Sequence, residues 1–164
     1  MTPDQRRKYI QLGLRAHAAT RSDDSFNDWR PGQVTAALQA VGRQPRRFKD
    51  FAEVDLDVMI AHFERVARGL PFDPAALLQA AIDGEKKRLR YVIERFKREY
   101  GQQAYWTILK GRFHVQFIEQ LNLVGLDRLR MTLNARLNKY QTNQGKTPAA
   151  PENTSAAEQE LPYA

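Results

Sequence analysis

Lys86, Lys87, Arg88, Arg90, Arg95, Lys97 and Arg98 put seven cations into the fifteen residues from Glu85 to Glu99, against three glutamates. Long cations repeated at helical spacing suit a row of phosphates, because each phosphate neutralised releases condensed counterions. The apolar residues of the same stretch, Ile82, Leu89, Ile93, Phe96 and Tyr100, step by seven, four, three and four, the spacing of one helical stripe. With Leu89 at the origin of a helical wheel, the other four fall within about 40° of it. Lys87, Arg90, Tyr91, Arg95 and Arg98 fall on the far side, with Glu94 among them. Tyr91 is suited to stacking or to a hydrogen bond with a backbone oxygen. Opposing this, Glu94 and Arg98 are spaced to pair, as are Arg95 and Glu99, and such pairs cancel part of the field.

A second basic cluster, Arg43, Arg46, Arg47 and Lys49, surrounds Pro45 in a turn between two helices. Arg46, Arg47 and Lys49 are expected to assist by clamping a phosphate there. Arg6, Arg7 and Lys8 form a third cluster, suited to a loose electrostatic contribution. Arg128, Arg130, Asn134, Asn138 and Lys139 lie off the apolar stripe of the last helical segment. They read either as a solvated face or as a second contact surface, since Arg and Asn pair with guanine and adenine edges.

Nothing converges on catalysis. His17, His62 and His114 stand in no metal-binding spacing, and no phosphate-cradling glycine loop, nucleophile elbow or zinc-helix motif is present. Asp23, Asp24 and Asp28 surround Asn27 without calcium-loop spacing. The absence of cysteine excludes disulfides and thiolate metal sites. The chain is therefore expected to be no enzyme and to use neither cofactor nor metal. Trp29, Tyr105, Trp106, Phe113 and Phe117 read as core rather than as a stacking platform.

The elements that must carry these side chains are helices. No alternating β-branched run is bounded by turn residues. Helical patterning recurs at 3–19, from about Pro31 to Val41, from about Val54 to Arg68, from Asp73 or Pro74 through the basic stretch to Gly101, at about 103–110 and at about 125–140. Asp28 reads as a cap for the second helix, and Gly84 as a kink or division of the fourth. The expectation is an all-α domain of about six helices over residues 1–140. A faint internal echo at an offset of seventy matches 48–68 with 118–138: Val54, Leu56, Asp57, Met59 and Phe63 against Val124, Leu126, Asp127, Leu129 and Leu133.

Apolar content is 42%, slightly low for a globular chain, and residues 141–164 account for part of that. That segment has few large apolar residues and is read as a disordered tail. It carries a net −2 within a chain of +7, so residues 1–140 carry +9. A compact basic body implies a polyanionic partner, with DNA favoured over RNA. No signal-peptide core and no membrane-length apolar run is evident, which points to a cytoplasmic protein of a bacterium or its phage.

The order of features resembles the GemA-like regulatory proteins of Mu-like phages. The likeness lies in an opening helix like RRKYIQLGLRAH, a turn with an apolar anchor, and a helix entered as in FKDFAEVDLDVMIAHF. It continues in an aromatic–Gly–apolar turn before a Leu-rich helix, YWTILKGRFHVQFIEQLNLVGLDRLRMTLNARL. It spans about residues 5–138, although the serine usual before the LD helix is not evident. It implies a phage or mobile-element origin and a role near host DNA transactions, and carries over no site residue. The reading is thus a non-catalytic nucleic-acid-binding accessory or regulatory protein. The alternative is an interaction module for a host or phage regulator or replication factor, with charge serving solubility and steering.

Overall fold

The computed structural model describes residues 2–144, with side chains through Lys139. Among the described residues there are six α-helices, two short 3₁₀ turns and no strand. The helices are α1 (Pro3–Thr20), α2 (Phe26–Ala40), α3 (Glu53–Ala67), α4 (Pro74–Tyr100), α5 (Gln102–Phe113) and α6 (Leu123–Gln144).

Local chemistry explains the boundaries. Thr2 and Gln5 form a reciprocal capping box that opens α1. Ser25, whose hydroxyl accepts from the Asp28 amide, opens α2. That helix starts five residues before Pro31, where the sequence places it, and Asp28 sits inside its first turn. Phe26 and Trp29 therefore ride on this helix, and Pro31 is tolerated within it. Asp73 caps α4 and Pro74 fills its first position, while Gly69 and Gly101 take positive φ just beyond the ends of α3 and α4. The last helix continues to Gln144, four residues into the segment assigned to a tail. The rest of that assignment lies outside the described residues.

Gly84 does not divide α4, which runs unbroken for 27 residues, about 40 Å. A Cβ at Gly84 would collide with the Asp57 carboxylate, so the glycine leaves room for that carboxylate where α3 packs on α4. Two apolar clusters flank that contact. The first joins α1, α2 and α3 with Leu77 and Ala81 of α4. The second joins Leu89, Ile93 and Phe96 of α4 with α5 and with Leu126, Leu129, Leu133 and Leu137 of α6. Each cluster is closed by the same local unit. A 3₁₀ turn at Phe48–Asp50 precedes α3 at Glu53, and one at Ile118–Gln120 precedes α6 at Leu123, the same interval of 70 residues in both cases.

Between the clusters runs a chain of charges. Glu85, 1% exposed, accepts from Arg88 at 2.8 Å and from Arg130 across the helix pair. Arg88 continues to Asp57 at 2.7 Å and to Glu53 at 3.4 Å; Arg130 continues to Asp127 at 2.9 Å. Burial pulls the Arg88 guanidinium down, but Glu85 and Asp57 outweigh it and its pKa is raised. Arg130 behaves likewise through Glu85 and Asp127. Burial raises the Asp57 carboxyl, with Arg88 opposing.

Candidate nucleic-acid interface

Helix α4 divides its cations into two populations. Arg88 is drawn inward to Glu85 and Asp57, where it serves the fold. Lys87, Arg90, Tyr91 and Arg98 are exposed and Arg95 is half-buried, all on the face opposite Leu89, Ile93 and Phe96. Tyr91 stands 74% exposed among them. The apolar backing is as the spacing predicts, with Ile82 and Tyr100 half-buried at its ends.

The expected neutralising pairs do not form. Glu94 lies 3.7 Å from Lys97 and not against Arg98. Lys97 also sits over the Tyr105 ring at 5.0 Å, which holds it on the flank beside α5. Among the described residues, no carboxylate comes within ion-pair distance of Lys87, Arg90, Arg95 or Arg98. An exposed row of cations without fixed counter-charges can exchange its solvent ions for phosphates, at little cost in broken contacts.

The second predicted group gathers elsewhere. Arg46, Arg47 and Lys49, all exposed, line a cleft of about 750 Å³ together with Tyr9, Arg30, Pro31, Val34, Thr35, Pro45 and Phe48. Arg46 is partly engaged, its Nε lying 3.7 Å from Asp55. Asp55 is fully buried, accepts from the Ala52 amide at 2.8 Å and holds Arg43. Arg43 is thus a structural strut for the turn. Arg30 was missed by sequence reasoning, since only the fold of the 45–49 turn over α2 brings it beside Arg46 and Arg47. Among the described residues no hydrogen bond or ion pair joins this group to the α4 row.

The remaining expectations divide similarly. Lys8 lies 3.9 Å from Glu64, while Arg6 and Arg7 are exposed. On α6, Arg130 belongs to the internal charge chain, which removes it from the proposed outer surface; Arg128 and Lys139 remain exposed. Phe117 is 58% exposed, because it precedes the second 3₁₀ turn with its backbone tied to Gln120, and it is no core residue. His62 is buried, with Nε2 2.8 Å from the Gln33 side-chain oxygen. Among the described residues no group of three or more His, Cys, Asp or Glu side chains is placed to hold a metal, and no helix is long and apolar enough to cross a membrane.

The chain matches no protein-family model, no curated protein and no solved structure.

Proposed function

We propose that the protein is a non-catalytic nucleic-acid-binding accessory or regulatory factor that holds DNA, in preference to RNA, by its phosphates. Lys87, Arg90, Arg95 and Arg98 of α4 make the contacts, Tyr91 packs or hydrogen-bonds between them, and Arg46, Arg47 and Lys49 supply a second basic surface. The observation that carries this reading is the row of α4 cations with no carboxylate partner among the described residues. Phosphate contacts carry no sequence information, so no sequence specificity is assigned. The cytoplasm of a bacterium is the compartment proposed. The resemblance to GemA-like regulatory proteins supplies the setting, a phage or mobile element acting near host DNA.

A salt titration of DNA affinity tests the reading. A log–log slope of about −3 to −5 is expected for four to six phosphates. Undetectable binding at low salt, or a flat slope, sinks it. Replacing Arg90, Arg95 and Arg98 with Glu should abolish binding while leaving helicity intact.

One observation favours a second reading, an interaction module for a regulator or replication factor. Val124 and Met131, 58% and 62% exposed, line a groove with Phe113, Arg112 and Arg128. Exposed apolar side chains rimmed by cations suit an acidic-apolar protein segment. Binding of an acidic-apolar peptide that is lost on Arg112→Glu with Arg128→Glu, in a protein that shows no DNA affinity at low salt, would favour this reading.

A further inference from the structure

The cleft between α1, α2 and the 45–49 turn carries more than surface charge. Its lining holds four cations, Arg30, Arg46, Arg47 and Lys49, beside an apolar wall of Pro31, Val34, Pro45 and Phe48. At its base lies Tyr9, fully buried and stacked on Phe48 with ring centroids 4.3 Å apart. The Tyr9 hydroxyl has no hydrogen-bond partner and is the buried side-chain polar atom left unsatisfied among the described residues. Buried hydroxyls are seldom left so. Desolvation pushes its pKa up to about 12, against the pull of Arg30, so it stays a neutral donor. Of the cations, only Arg46 has a carboxylate within ion-pair distance among the described residues.

We propose that this cleft binds a nucleoside 5′-phosphate, either free or as the 5′ end of a strand. The phosphate meets Arg30, Arg46, Arg47 and Lys49 and accepts from the Tyr9 hydroxyl as the turn around Phe48 adjusts. The nucleoside lies along Pro31, Val34, Pro45 and Phe48. Three features select this class. The cations provide the positive charge that a phosphate monoester dianion needs. The cleft's volume of about 750 Å³ greatly exceeds a phosphate group and lies in the range of small-molecule sites. The apolar wall adjoining the cations offers a surface to a planar ring, which inorganic phosphate would not use. The proposal stands apart from the α4 row, since a duplex backbone presents diesters and no terminal dianion.

Calorimetric titration with adenosine 5′-monophosphate, adenosine and inorganic phosphate tests it, alongside single-stranded hexamers with a 5′-phosphate or a 5′-hydroxyl. The monophosphate, the 5′-phosphorylated hexamer, or both should bind at least tenfold more tightly than the counterpart lacking the phosphate. Preference for the hexamer identifies a strand end as the source, and preference for the monophosphate a free nucleotide. Inorganic phosphate binding as tightly as either overturns the assignment of a nucleoside. Equal binding of phosphorylated and unphosphorylated probes overturns the proposal, while leaving backbone binding through α4 untouched. Arg30→Gln, and separately the double variant Arg47→Gln with Lys49→Gln, should each weaken phosphate-dependent binding at least tenfold; unchanged affinity in both overturns the site. Tyr9→Phe should weaken binding several-fold without lowering the Tm of the unliganded protein, because it removes an unsatisfied group. A lowered Tm with unchanged affinity would make Tyr9 merely structural.

Discussion

The two turn–helix units of this protein, 48–67 and 118–137, share one backbone plan and fill it differently. In the first, Phe63 is fully buried against Tyr9 and Trp29, with Phe48 and Phe51 closing the turn over Tyr9. In the second, the position seventy residues on is Leu133, packed in a ladder of Leu126, Leu129 and Leu137, and Ile118 and Leu121 stand where the phenylalanines stood. The first is a mosaic of rings whose mutual angles are fixed. The second is an aliphatic seam along α4. Plate-like rings leave a cleft at their edge, and there the first unit collects its cations. The leucine seam of the second unit packs along α4, whose cations stand on the opposite face. The same plan thus borders a cation-lined cleft in one half and backs a basic helix in the other, beside the groove at Val124 and Met131.

That contrast is broken most directly by removing the matched residues. Phe63→Ala should cost about 4 kcal/mol and Leu133→Ala about 3 kcal/mol, read from urea denaturation. The ring mosaic has less freedom to collapse into the void than the leucine ladder has. A larger loss at Leu133 would mean that the aliphatic cluster is the more rigidly packed of the two.

The halves are joined by Glu85, which lies between Arg88 and Arg130 and through them reaches Asp57 and Asp127, equivalent residues of the two units. Glu85→Ala leaves two half-buried guanidinium groups short of their shared partner and should cost about 3 kcal/mol. Because the partners lie in different units, the loss should appear as broadened unfolding, with a lower m-value. An unchanged transition would show that apolar contact alone couples the halves.

Much of this was legible before folding. The stripe of Leu89, Ile93 and Phe96 fixed the buried face of α4 and so the outward row of cations, because a single amphipathic period decides both. The helix limits at Asp73 and Gly101 were legible from local capping chemistry. The inward turn of Arg88 was not, since a wheel gives an angle and no partner. One signal was present: Glu85 lies within about 40° of Leu89, a carboxylate inside an apolar stripe, which must find a cation to be buried. The start of α2 was misplaced because Pro31 looks like a first-turn residue, whereas Ser25 and Asp28 supply the capping pair. Arg30 could not be assigned to the cleft because its neighbours there come from a separate turn.

A sharper test of the junction lies at Gly84. Glycine to alanine inside a helix ordinarily stabilises by about 0.5–1 kcal/mol. Here the added Cβ meets the Asp57 carboxylate, which Arg88 holds in place. Gly84→Ala should therefore destabilise by about 2 kcal/mol. In an Asp57→Ala background its sign should revert to mild stabilisation, a coupling that a double-mutant cycle measures. Destabilisation that persists in that background would place the clash in the helix backbones.

The smallest effect separates the halves by pH. Burial, reinforced by Arg65, lowers the pKa of His62 from 6.5. The imidazole packs between Phe63 and Phe72 with its Nε2 facing Gln33. As a neutral ring it donates Nε2–H to the glutamine oxygen; protonation would place a charge where burial and Arg65 both oppose it. The unfolded chain takes up this proton near 6.5 and the folded one only at lower pH, so the unfolded state binds more protons between the two values. The contribution of neutral His62 is complete above 6.5 and is lost as pH falls from there through the folded pKa. The matching residue of the second unit is Thr132, whose hydroxyl donates to the Arg128 carbonyl and does not titrate. Urea midpoints between pH 7.5 and 5.5 should therefore fall for the wild type and flatten for His62→Gln. Amides of the first unit should lose hydrogen-exchange protection over that interval while those of α6 hold theirs. Equal loss in both would mean that the charge chain at Glu85 transmits the strain, and that the two fillings of the shared plan melt as one.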